Sequence, residues 1–154
     1  MGILGMKVKL GRNIDFVCRE IKKNGMHIGN RANNIIHKPI FTVSSIPIIV
    51  GLVVKTVEEL GFPEGANFED ICRAAKRLSL EKSPAEVGPA LRLEYINQPE
   101  GEWLVVAMES ITDSEGNPRM FLVGHNHCGL WLVGDFGHPP HIYGPTKKFV
   151  FVTS

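Results

Sequence analysis

Residues 118–134, PRMFLVGHNHCGLWLVG, contain the pattern that decides the fold. One apolar run precedes the polar turn at 125–128 and a second follows it at 129–134. Along the second run Trp131 and Val133 alternate with two leucines, and a period of two is typical of a strand. A turn this short joins antiparallel neighbours. The sequence therefore predicts a β-hairpin here.

The same period continues on both sides of this hairpin and extends the predicted sheet. It predicts five strands in all, at about 91–95, 102–110, 118–124, 129–134 and 147–152. Short connections then favour a five-stranded antiparallel meander. Both faces of its middle strands are apolar. The second face must therefore be buried in one of three ways: the sheet curls into a barrel, the N-terminal half covers this face, or the face pairs with another chain.

Helices are predicted ahead of the sheet. Apolar residues recur at helical spacing through 13–24, where Asn13 is the expected cap, and a second helix is expected from Asn67 to about residue 78. Residues 48–54 predict a strand. A start signal at 83–86 is followed by Gly-Pro, which is expected to end that helix after one turn.

These elements indicate the α+β class, with an N-terminal helical half packed on a C-terminal antiparallel sheet that can curl into a half-barrel. A chain of 154 residues with 44% hydrophobic content predicts a single domain over 1–154. Its parts are a basic helical or irregular segment at 1–45, a strand with helices at 46–89, and the sheet at 90–154.

Cysteine content and sorting signals indicate the cellular compartment that is expected for the protein. Three widely spaced cysteines suggest no disulfide framework and favour a reducing compartment. No targeting signal is visible, so a cytoplasmic location is expected. The most apolar stretch, residues 40–54, is interrupted by polar residues and proline and is shorter than the ~20 residues that span a bilayer, so no membrane partner is predicted.

Positive charge is concentrated near the N-terminus. Residues 1–40 hold eight Lys or Arg residues against two acids, although the whole chain carries only +1. Arg19, Lys22 and Lys23 lie off the apolar stripe of the first helix. They are the candidate contacts for a polyanion, and a solvated helix face is the other interpretation.

A resemblance covers roughly residues 50–152. The stretch PAEVGPALRL at 84–93, with GEW at 101–103 and GLWL at 129–132, resembles a family of uncharacterised bacterial proteins of similar length. No activity comes with this resemblance. It implies a bacterial cytoplasmic setting.

A divalent metal site is one hypothesis for the C-terminal quarter. The loop at 135–146 is long for a hairpin connection and contains Asp135, His138 and His141. Meander topology places this loop beside the turn that contains Asp113 and Glu115. Imidazoles with a carboxylate are the ligands of an open, water-activating metal site. An ordinary polar turn with surface histidines explains the same residues.

Cys128 is a candidate exposed thiol. Its neighbour His127 is not expected to act with it, because adjacent residues of extended chain point to opposite faces. Signatures such as GxGxxG, the Walker A loop, HExxH and GxSxG are absent from the sequence.

Three function classes therefore stay open. A binding or assembly module without chemistry is favoured because the catalytic signatures are missing. The alternatives are a metal-assisted hydrolase at the 135–146 loop and a non-specific nucleic-acid-binding protein that uses the basic segment. Self-association through the sheet is a further prediction, since both sheet faces are apolar.

Overall fold

A computed structural model describes residues 5–137 and 139–153. The α-helices in this part of the chain are α1 (Ile14–Lys23), α2 (Asn30–Ile36), α3 (Phe68–Arg77) and α4 (Val87–Glu94), with a 3-10 helix at Glu58–Leu60. The strands are β1 (Lys7–Leu10), β2 (His27–Ile28), β3 (Ile48–Thr56), β4 (Ala66–Asn67), β5 (Leu80–Glu81), β6 (Trp103–Val106), β7 (Ile111–Thr112), β8 (Pro118–Asn126), β9 (Gly129–Phe136), β10 (Ile142–Tyr143) and β11 (Lys148–Thr153).

Side-chain caps fix the starts of the two helices that periodicity predicts. The Asn13 carboxamide accepts the backbone N–H of Phe16 at 3.1 Å at the start of α1. Asn67 accepts the N–H of Asp70 at 2.8 Å at the start of α3. Each cap satisfies a donor that the first helical turn leaves without a partner. None of the helices in the described ranges has the length and apolarity that a membrane crossing requires.

One mixed sheet, curled into a half-barrel, organises the molecule, so the α+β class and the curl are confirmed. Its strand order is β1-β3-β11-β6-β8-β9-β2. The β8–β9 hairpin is antiparallel as predicted, with paired residues from Arg119 opposite Phe136 to Asn126 opposite Gly129. However, β11 runs parallel to β6, and β2 runs parallel to β9.

The prediction of a five-stranded meander is therefore wrong. After β9 the chain crosses back over the sheet and inserts β11 between β3 and β6. Phe149 and Val150 are fully buried there. A strand this apolar is stable in the middle of a sheet, where neither face is wet.

The predicted strand at 91–95 is also wrong, because these residues belong largely to α4. Pro89 lies in the first turn of this helix, where its missing N–H costs no hydrogen bond. Residues 87–92 are all buried, so the segment has no polar face to reveal a helical period. Helices consequently extend beyond the N-terminal half of the chain.

The chain itself covers both faces of the sheet. On one face, which we call the inner face, α2 packs against β9, and α4 packs against β1, β8 and β9. On the outer face Phe149 contacts Phe68 of α3 and Tyr143 of β10, at ring separations of 6.0 and 5.0 Å. Cover by other segments thus accounts for much of the second apolar face. Self-association through the sheet stays a prediction.

Candidate functional site

The carboxylate of Asp113, a predicted metal ligand, is engaged in a structural contact. It pairs with Arg119 Nε at 2.8 Å and accepts the backbone N–H groups of Glu115 and Asn117. The Arg119 hydrogen bond is the main reason that the pKa of Asp113 falls to about 2. Asp113 therefore holds its own turn together.

The sheet separates the two halves of the predicted metal site. Arg119 is opposite Phe136 and Met120 is opposite Asp135, so Arg119 and Asp135 project from different faces. Asp135 and His141 line one cleft, whereas Glu115 pairs with Arg31 of α2 at 3.4 Å on the inner side. His138 lies outside the described residues.

The residues that are described give the metal hypothesis no support. Among them, no three His, Cys, Asp or Glu side chains gather closely enough to hold an ion. The turn at 113–117 and the chain after β9 do share an end of the sheet, as Gly137 N–H donates to Pro118 O at 2.8 Å. Sharing an end is thus insufficient, because Arg119, which holds Asp113, and Asp135 project from different faces of the sheet.

The cysteines fall into two groups. Cys128 is exposed in the β8–β9 turn, as expected for a candidate thiol. Cys18 and Cys72 are half-buried against the core, and burial raises the pKa of the Cys72 thiol to about 11. Burial also raises the pKa of the Cys18 thiol, so both half-buried thiols are poor nucleophiles at neutral pH.

The predicted polyanion contacts lie on the exposed face of α1. Arg19, Lys22 and Lys23 are all exposed. Within the described part of the chain none of them forms an ion pair. By contrast, Arg73 of α3 pairs with Glu69 and Asp70 of its own helix. The charges on α1 thus remain available to a partner.

Three ring side chains occupy one row on the outer face of the sheet. Trp103 of β6 and Trp131 of β9 are both opposite Gly124 of β8, and His27 of β2 is opposite Trp131. Residues directly opposite one another share a face. We call the row of Trp103, Trp131 and His27 the aromatic shelf.

Close packing and hydrogen bonds fix these rings. The His27 and Trp131 rings stack, with centroids 4.5 Å apart and planes 29° from parallel. Trp131 Nε1 donates to Asn126 Oδ1 at 3.1 Å. His27 Nε2 lies 3.2 Å from the carbonyl oxygen of Cys128, a contact in which the imidazole N–H donates. His27 nevertheless stays exposed, so a ligand can reach its ring.

Two rings of the aromatic shelf and the last turn of α1 meet in one cleft. Lys22, His27 and Trp131 all contribute to its lining, together with residues 28–30 at the open edge of the sheet. A cation and two stacked rings therefore face a shared space. Such a site suits a ligand that combines negative charge with flat, weakly polar surfaces.

Arg92 supports the aromatic shelf from the core. The side chain is fully buried, and Nη1 donates to the carbonyl oxygens of Gly124 at 2.9 Å and Trp131 at 3.2 Å. Burial lowers the pKa of its guanidinium to about 10. The sequence did not predict this burial, because Arg92 falls within the strand that was wrongly predicted at 91–95.

Sequence reasoning identified the cations of the cleft but not its rings. Trp103 and Trp131 counted only as apolar members of alternating strands, and His27 was not selected. Gly124 was the available signal, since a glycine within a strand often marks a close approach by another group.

Comparison with known proteins brought no match to a protein-family model, a curated protein or a solved structure.

Proposed function

We propose that the protein is a binding module for nucleic acid, with no chemistry of its own, and that α1 and the adjoining cleft form its interface. The observation that carries the proposal is the position of Lys22. It belongs both to the exposed basic face of α1 and to the cleft lined by His27 and Trp131.

The charges of α1 suit a phosphate backbone. Lys22 and Lys23 lie in the last helical turn, and Arg19 lies three and four residues before them on neighbouring faces. Exposed cations without an acidic partner release counterions when they meet phosphates, which favours binding at low salt. No hydrogen-bonding motif for reading base edges is evident in the sequence, so we expect weak dependence on base sequence.

Fluorescence anisotropy with a labelled oligonucleotide tests this proposal. The variant Lys22→Gln/Lys23→Gln should bind more weakly than the wild type at low salt. Its plot of log affinity against log salt concentration should be shallower by about 0.7 for each phosphate of a single strand that the variant no longer neutralises. Adding Arg19→Gln should weaken binding further.

A matched control is available on α3. Lys76 and Arg77 also occupy the last turn of a helix and are exposed, so Lys76→Gln/Arg77→Gln removes the same charge elsewhere. This control should bind like the wild type. Equally weakened binding in the two double variants would show that only net charge matters, and absence of binding at low salt would remove the proposal.

A further inference from the structure

The cleft contains more than a polyanion site needs. A site that reads only phosphate requires cations, yet Lys22 lies beside two stacked rings at an accessible surface. Trp103 belongs to the same row, on the other side of β8, and its ring lies over Gly124. These rings call for a ligand with flat faces of its own.

We propose that the aromatic shelf stacks the exposed bases of single-stranded nucleic acid, an inference that rests on the proposed function. In a duplex each base already stacks on its neighbours, so its faces cannot meet a protein ring. In a single strand they can, and every base offers such a face whatever its sequence.

The construction of the shelf supports this assignment. A Cβ at Gly124 would lie 1.9 Å from Trp103 Cε3, so the indole lies directly against the strand backbone. The His27 ring is fixed from two sides, by Trp131 and by the Cys128 carbonyl. Rings held in this way lose little conformational entropy when a base stacks on them.

The position of α1 indicates how a single strand of nucleic acid would lie on the protein. Lys22 is in the cleft, while Arg19 and Lys23 lie outside its lining on the exposed surface of α1. The phosphates therefore pass along α1 while the bases turn toward His27 and Trp131. A neutral oligosaccharide would also stack on indole rings, but it would leave these cations without a role.

Three probes separate stacking from charge: a single-stranded oligonucleotide, the duplex of the same sequence, and inorganic polyphosphate, which has no bases. His27→Ala should weaken binding of the single strand about ten-fold, within the range measured for one base–ring contact, and should leave polyphosphate binding unchanged. Trp131→Ala should weaken single-strand binding further.

His141→Ala is the matched control. His141 is also exposed and also contacts an aromatic ring, that of Tyr143 at 4.6 Å, but it lies in another cleft. The His141→Ala variant should bind all three probes like the wild type. Because Trp131→Ala removes a packed ring, its circular dichroism and melting temperature are measured alongside, and the exposed His27 carries the comparison if Trp131→Ala does not fold.

The outcomes distinguish this inference from the proposed function. If duplex and single strand bind equally, or if the His27→Ala variant weakens polyphosphate as much as oligonucleotide, stacking is refuted while polyanion binding stands. If a neutral oligosaccharide binds instead and no longer binds to His27→Ala, the assignment to nucleobases is wrong. If no polyanion binds at low salt, both claims fail.

Discussion

At the scale of single residues, Gly124 makes the aromatic shelf possible. Trp103 and Trp131 are both opposite Gly124. The space in which a side chain would stand is filled by the Trp103 ring. Any larger residue must displace an indole that packs against the backbone, and such overpacking in a close-packed structure costs stability.

Gly124→Ala should therefore lower the free energy of unfolding by about 1–3 kcal/mol, the usual cost of overpacking. The same change should cost much less in a Trp103→Ala background, because the clash is then absent. Urea denaturation of the four proteins in this cycle measures the coupling. Gly51→Ala is the control, since a Cβ at Gly51 would meet no ring, and its nearest atom would be the Thr153 hydroxyl oxygen at 3.3 Å. Equal costs in both backgrounds would contradict the packing of Trp103 over Gly124.

At the scale of elements, the turn between β7 and β8 is bound to α2. Asn34 and Ser114 exchange two hydrogen bonds of 2.9 Å, and Lys38 donates to the Ser114 hydroxyl at 2.7 Å. Inside the turn, Asp113 accepts two backbone N–H groups and pairs with Arg119. The acidic turn that resembled a metal site is thus a structural connection.

Because Asp113 is charged in this connection, the stability of the protein should depend on pH. The pKa of Asp113 is lowered in the folded protein, chiefly by Arg119, so its charged form favours folding above the ordinary pKa of 3.8, and that contribution disappears as the pH falls toward about 2. Asp113→Asn keeps one side-chain oxygen that can accept the turn N–H groups, but it removes the charge and the second oxygen that accepts from Arg119.

The difference in unfolding free energy between wild type and Asp113→Asn should therefore be largest near pH 6 and shrink toward pH 2. Chemical denaturation at a series of pH values measures it. Glu115→Gln, which alters an exposed ion pair with Arg31, should show little difference at any pH. A difference for Asp113→Asn that does not change between pH 6 and pH 2 would contradict the role of its charge.

The elements also show how far sequence reasoning reaches. α1 and α3 were predictable because each combines an apolar stripe with an asparagine cap. α4 was not, because it is buried on several sides and contains Gly88 and Pro89 in its first turn. Its leucines alternate with Arg92 as they would on a strand, and only tertiary packing shows that this arginine lies in the core.

At the scale of the whole molecule, the order of the strands in the sheet could not be predicted from the local sequence pattern. The strand near 148–153 was predictable, but its insertion between β3 and β6 depends on long-range pairing. The candidate site has the same limit. Arg19, Lys22 and Lys23 are recognisable from charge, whereas the alignment of His27 with Trp131 exists only because β2 joins the edge of β9.

The fold also provides a direct probe of the central claim, that nucleic acid binds on the aromatic shelf. The chain has two tryptophans, and both belong to this shelf. Their fluorescence therefore reports on the proposed site without any label. Anisotropy of a labelled oligonucleotide reports on binding anywhere on the protein.

The most direct test is a titration with single-stranded oligonucleotide at low salt, following both signals. We predict saturable quenching of tryptophan emission that follows the anisotropy and is reversed by added salt, because stacked bases alter indole emission and salt weakens phosphate contacts. Unchanged tryptophan emission while anisotropy rises would place the interface elsewhere, and no change in either signal would contradict nucleic-acid binding itself.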